Sequence, residues 1–149
     1  MVYLNAYQLV PMRRVAELLG DFYGHSPSQA LIQSANQRLA SEITPTLAAI
    51  VEQLQAAPVV HCDEMGMRIE GELHWLHNVC TQFLTAYGVH AKRGYEAMID
   101  LGILTAFTGR LVHDGWKPYL KLKVCSHALC NAHALRDMSC FDSVGHAAS

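Results

Sequence analysis

Several things are scarce in this chain. No apolar run approaches the roughly 18 residues that a membrane-spanning helix needs, so a membrane partner is not expected. Charged residues make up 16% of the 149, and eleven Lys and Arg against thirteen Asp and Glu leave a net charge of −2. A uniformly basic nucleic-acid binder is thereby excluded, although local patches are not. There are no internal repeats and no low-complexity tracts. The five cysteines are an odd number and no secretory signal precedes them, which points to a soluble protein in a reducing, cytoplasmic compartment. Glutamate is missing from the whole stretch after Glu96.

What is present is an ordinary globular composition, 51% hydrophobic, long enough for one medium domain or a core with a small accessory piece. Residues 1–56 read as helices. Val15, Leu18, Leu19 and Phe22 fall on one stripe that ends at Tyr23-Gly24, where glycine suits a C-terminal cap. A second helix is expected over 27–40, with Ser26 as cap, Pro27 in the first turn and Gln29 completing a capping box. Leu31, Ala35 and Leu39 would share its buried face. A third opens at Thr44-Pro45 and carries Leu47, Ile50, Val51 and Leu54 on one side. Two short helices joined at a glycine are compatible with a helix-turn-helix or with a plain helical hairpin, and Arg38 is the lone cation of the second helix.

From residue 58 the period changes from helix to strand. "APVVHCDEMGMRI", residues 57–69, drives an apolar run into Asp63 and Glu64 and then alternates. Further strands are expected over 73–80 and 83–90. A helix carrying Ala97, Leu101 and Leu104 follows, then a short strand, "RLVHDGW" (110–116), that ends in Asp114-Gly115. The order of three antiparallel strands, a helix and another strand makes an α/β (α+β) core, with one acid on its first strand and one at the end of its fourth. Two carboxylates on separate strands are what a two-metal phosphoryl-transfer site requires, because Mg²⁺ is a hard cation that prefers oxygen ligands. Acids at strand ends are also common on purely structural grounds.

The longer strings narrow the choice. "APVVHCDEMGMRIEGELHWLHNVCT", "VHAKRGYEAM", "GILTAFTGRLVHDGWKPY" and "HALCNAHALRD", with "YQLVPMRRVAELLGDFYGHSPSQALI" upstream, together resemble the central region of the insertion sequence 66 family of transposases over residues 3 to 137. That resemblance implies a DDE transposase with a ribonuclease-H-like mixed sheet flanked by helices, in which two aspartates and a glutamate hold two Mg²⁺ or Mn²⁺ ions. Asp63, in "HCDEMG", would be the first aspartate and Asp114, in "VHDGW", the second. The implied partners are DNA, both transposon ends and target, and a homo-oligomer or an intact transposase, in the bacterial cytoplasm at the nucleoid. The implied domains are a helical pre-core segment (1–56), a partial catalytic core (57–137) and a divergent tail (138–149).

The chain departs from the family pattern in three ways. Cys62 and Met65 stand where the family usually has Ala and Thr. After Asp114 the only acids are Asp137 and Asp142, and neither is assigned the third role. The tail "MSCFDSVGHAAS" loses the resemblance, as a truncation or frame change near Arg136-Asp137 would cause. The expectation is therefore a transposase fragment that is inactive alone for lack of its third carboxylate. The alternative is a non-catalytic DNA- or partner-binding module.

Other residues have competing readings. Between 110 and 136, Arg110, Lys117, Lys121, Lys123 and Arg136 face only Asp114, a local basic excess able to neutralise phosphates or merely to be solvated. In "CSHALCNAH", Cys125, His127, Cys130 and His133 have zinc-compatible spacing, Cys130 and His133 above all. A packing role, or support of the site from outside the metal's own ligands, is the other reading. A zinc-stabilised structural domain is the third overall possibility. His61 and His113 flank the two aspartates and can orient them or sit satisfied in the core. Glu64 should point away from Asp63, to the surface or to a supporting position. Trp75 and Trp116 read as core, and Lys92 and Arg93 as a solvated turn or a DNA contact.

Overall fold

The structure, a computed structural model, describes residues 1–136. Asp137, Asp142 and the tail at 138–149 lie outside the described residues. The chain divides into two compact units, one of residues 1–48 and one beginning at Ala49.

The first unit is helical. After a π-helical turn, Tyr3–Tyr7, come α1 (Met12–Tyr23) and α2 (Gln29–Glu42). Gly24 ends α1 as expected, at φ +68°, with its N–H donating to the Gly20 carbonyl. The start of α2 differs from expectation. Ser28 is the cap, its hydroxyl accepting the Leu31 N–H at 3.1 Å. Pro27 precedes that cap instead of opening the helix, which leaves Ser26 in the non-helical region a residue before proline prefers. The buried face of α2 is also rotated by one residue. Ile32 is fully buried, while Leu31 and Leu39 are exposed, and Phe22 drops out of the α1 stripe at 76% exposure. Two short helices offer too little surface to cover a whole stripe. Arg38, the lone cation of α2, is paired with Glu42 at 2.8 Å.

Helix α3 (Thr44–Ala56) leads to the sheet: β1 (Val59–Ile69), β2 (Glu72–Cys80), β3 (Thr85–His90), α4 (Tyr95–Leu101), β4 (Arg110–His113), a 3₁₀ turn (Lys117–Lys121) and β5 (Ser126–Leu129). The spatial order is β3-β2-β1-β4-β5. The first three strands are antiparallel, and β4 and β5 run parallel to β1 and to each other. This mixed sheet has the order of a ribonuclease-H-like fold. The β1–β2 hairpin turns through Glu70 and Gly71, both at positive φ, the twist that two-residue hairpins favour. β5 was missed because "SHAL" is too short and too mixed to show a period of two.

The core lies on one face. Val60, Cys62 and Val79 pack with Leu111, Met98, Phe107 and Tyr119 in one buried cluster. Two glycines set its close approaches. A Cβ on Gly88 would stand 2.5 Å from Leu101 Cδ2, so its absence lets α4 lie on the sheet. A Cβ on Gly109 would meet the carbonyl oxygens of Ala57 and Pro58, each at 2.7 Å. Gly109 therefore permits β4 to enter beside β1. Backbone atoms cannot swing aside as a side-chain tip can, so Gly109→Ala should destabilise the protein by about 1–3 kcal/mol, read from the urea unfolding midpoint.

Candidate active site

Strand β1 alternates strictly. Val60, Cys62 and Glu64 are buried on the core face, and His61, Asp63 and Met65 are exposed on the other. In the parallel β1–β4 ladder Val59 pairs with Arg110, Val60 with Leu111 and His61 with Val112. The same offset, continued past the last paired residues, aligns Cys62 with His113 and Asp63 with Asp114. Asn78 of β2 faces Asp63 from the other side. Each aspartate already has one oxygen engaged. Asp63 Oδ1 accepts the Glu64 N–H at 2.9 Å, and Asp114 Oδ1 accepts the Trp116 N–H at 2.8 Å. Neither Oδ2 carries a hydrogen bond among the described residues. Two exposed carboxylates with a free oxygen each fit the donor chemistry of a hard divalent cation. Among the described residues, no three His, Cys, Asp or Glu side chains are grouped to hold one ion.

Glu64 does point away from Asp63, but it is no surface residue. Its side chain has no exposed area, and the guanidinium of Arg93 bonds Oε1 through both Nε and Nη2 at 2.9 Å. The Tyr119 hydroxyl donates to Oε2. The Arg93 guanidinium carbon lies 4.0 Å from the Trp116 ring centre and 4.9 Å from that of Trp75. The two tryptophans are thus half-buried stacking partners of an arginine, and Arg93, although its side chain is 35% exposed, is engaged with Glu64 and the two rings instead of being a freely solvated turn residue. Lys92 stays exposed, paired with Glu96. Burial raises the Tyr119 hydroxyl well above the ordinary phenol range and the Cys62 thiol above the ordinary thiol range. Both therefore stay protonated, and Tyr119 remains a donor to Glu64. Removing Arg93 would strand the fully buried Glu64 carboxylate, at a cost of about 3–5 kcal/mol.

The histidines flanking the acids diverge. His61 is exposed beside Asp63, whereas His113 is 1% exposed in the core and stacked on Tyr119. His113 Nδ1 accepts the Gly115 N–H at 3.0 Å, so its proton sits on Nε2 and is donated to His127 Nδ1 at 3.1 Å. His127 Nε2–H in turn donates to the Leu122 carbonyl at 2.9 Å. This chain of bonds fixes both rings as neutral tautomers and braces the Asp114-Gly115 turn.

The cysteine–histidine run separates into two pairs. Cys125 Sγ lies 3.9 Å from His127 Nε2. Cys130 instead precedes a helical turn at 131–136, and its N–H continues the sheet by donating to the His113 carbonyl. The His133 imidazole, then the backbone N–H groups of His133 and Ala132, hold the Cys130 thiol below its ordinary range. The same contact raises His133. Cys130 and His133 line a pocket with His61, Asp63 and Asn78. Asn78 Oδ1 and His133 Nδ1 are buried without a hydrogen-bond partner among the described residues.

The basic residues sit elsewhere. Arg110 opens β4, at the opposite end of that strand from Asp114 and about 13 Å away at the usual strand rise. Lys117 and Lys121, both exposed, bound the 3₁₀ turn, Lys123 follows it, and Lys121 Nζ lies 5.6 Å from the Tyr95 ring centre. Sequence reasoning missed Tyr119 and Asn78 altogether and misread Arg93. The one available signal was Glu64, a buried-phase acid that had to find a cation.

His113 also sets a pH dependence. Burial, then the neighbouring His127, lower its pKa, with Asp114 opposing. The folded state therefore binds this proton less readily than the unfolded chain. Its contribution to stability is complete above about pH 6.5 and is lost as pH falls through the lowered folded value. Urea midpoints should drop between about pH 7.5 and 5.5, with a slope of at most about 1.4 kcal/mol per pH unit from this group. His113→Asn, whose Oδ1 can still accept the Gly115 N–H, should flatten that part of the dependence.

No curated protein and no solved structure matches the chain. The family described as Transposase IS66 family matches it over residues 1–148. With nearly every residue inside that match, and a mixed sheet of ribonuclease-H-like order beneath it, the chain belongs to the IS66 family of transposases.

Proposed function

We propose that the chain carries two of the acids of a two-metal phosphoryl-transfer site, Asp63 and Asp114, and that its ancestral reaction is DNA cleavage and strand transfer at transposon ends. The observation that supports this reading is the parallel pairing of β1 and β4 up to His61 and Val112, whose offset, extended by two residues, would bring Asp63 level with Asp114. Family membership implies action on DNA and supports divalent metals as cofactors. When bound, Mg²⁺ or Mn²⁺ would activate the attacking hydroxyl and stabilise the leaving oxygen.

The residues contribute position and charge. Backbone N–H groups fix Oδ1 of each aspartate and leave Oδ2 available to a cation. Arg110, Lys117, Lys121 and Lys123 supply the positive charge that meets the DNA backbone. His133, beside Asp63 in one pocket, supports that carboxylate from the adjoining helical turn. Location at the bacterial nucleoid follows from a DNA substrate, and no described helix is long and apolar enough to cross a membrane.

Two carboxylates alone hold a second ion poorly, so we expect the chain to be catalytically weak or inactive by itself. Incubated with element-end duplex DNA and Mg²⁺ or Mn²⁺, the purified chain should give no nicked product above background. Nicking that disappears in Asp63→Asn would overturn the expected inactivity and establish the site. Salt-dependent DNA binding that survives joint neutralisation of Asp63 and Asp114 would instead favour the non-catalytic binding module.

A further inference from the structure

The two aspartates are held by backbone N–H groups of two particular residues, and the side chains of those residues meet on one arginine. Asp63 Oδ1 accepts from Glu64, and Asp114 Oδ1 accepts from Trp116. On the core side, Arg93 bonds the Glu64 carboxylate twice at 2.9 Å and lies 4.0 Å from the centre of the Trp116 ring. The Trp75 ring centre also lies within 4.9 Å of the guanidinium carbon.

We propose that Arg93 is a positioning residue that couples Asp63 to Asp114, through Glu64 on one side and Trp116 on the other. The inference rests on the two-acid reading of the site and adds a residue from the β3–α4 connection that touches neither acid. The chemistry requires arginine. A planar fork can give two parallel N–H groups to one carboxylate while offering its faces to two indole rings, and a lysine ammonium cannot do both. The Glu64 side chain has no exposed area and its second oxygen is taken by Tyr119, so Arg93 has no room to drift without leaving a charge unpaired. A displacement of the guanidinium must therefore move Glu64 or Trp116, and with them the N–H that orients an aspartate.

The test uses the full chain with Mn²⁺ as probe, followed by electron paramagnetic resonance. Arg93→Lys should raise the Mn²⁺ dissociation constant about ten- to a hundredfold, the range seen when outer partners of metal ligands are removed. It should also reduce hydrogen-exchange protection of the Glu64 and Trp116 amides together, without metal. Since a lone substitution can unfold the protein, the joint Glu64→Met and Arg93→Met variant removes both charges at once, which buried pairs tolerate. It should be folded by circular dichroism and show the same loss of affinity.

Unchanged Mn²⁺ affinity in that folded double variant, with Trp116 protection intact, overturns the inference. Asp63→Asn separates the two levels. If it abolishes Mn²⁺ binding while the Arg93 variants do not weaken it, only the role of Arg93 fails. If it leaves Mn²⁺ binding unchanged, the two-acid reading fails and this inference falls with it.

Discussion

A carboxylate with no exposed surface is the constraint around which the sheet is arranged. Glu64 sits on the core face of β1, and an ionised carboxylate there is tolerated only with a matched cation and further hydrogen bonds. Arg93 comes from the connection between β3 and α4, and Tyr119 from the 3₁₀ turn after β4. Each must reach the middle of β1. Satisfying one acid thus fixes two connections that would otherwise be free surface loops. Tyr119 then stacks on His113 at 4.7 Å, which carries the constraint into the strand that ends at Asp114.

The adjacent acids of β1 divide two tasks by strand alternation alone. Successive side chains point to opposite faces, so Glu64 enters the core because Asp63 remains outside it. A slip of one residue against β4 would exchange them, exposing Val60, Cys62 and Glu64 and turning Asp63 towards Leu111 and Phe107. Gly109 guards that register, since only a residue without Cβ fits between the carbonyls of Ala57 and Pro58 as β4 begins. The offset that would bring Asp63 level with Asp114 is accordingly set by core packing on the far face of the sheet.

How much of this could be read from the sequence depended on the range of the interaction. The helix stop at Gly24 and strands β1 to β3 rest on local periodicity and turn chemistry, and they appeared within a residue or two. The start of α2 did not, because Ser26 and Ser28 both precede plausible helices and only the hydrogen bond to Leu31 decides between them. The two aspartates were legible as acids ending apolar runs. The role of Arg93 was not, since its partner lies 29 residues away and its stacking rings come from β2 and from beyond β4. Charge in a polar turn ordinarily means a solvated side chain, and nothing local says otherwise. β5 was hidden for a related reason. Four residues with a histidine among them carry no periodic signal, and their strand character comes from pairing with β4.

The two acids are held with unequal firmness, and the difference follows from their backbones. Asp63 lies within a continuous strand, paired on the β2 side with Asn78, and that ladder fixes its backbone. Asp114 has left its strand and enters a turn in which Gly115 adopts φ +93°. That turn is restrained from three sides: the Gly115 N–H donates to His113, the Trp116 N–H donates to Asp114, and the Trp116 ring lies on Arg93. A turn so restrained is not a flexible connection that happens to carry an acid. The His113–His127 bonds and the Arg93 stack supply to Asp114 the rigidity that strand pairing supplies to Asp63, and only with both acids fixed does their spacing become a property of the fold.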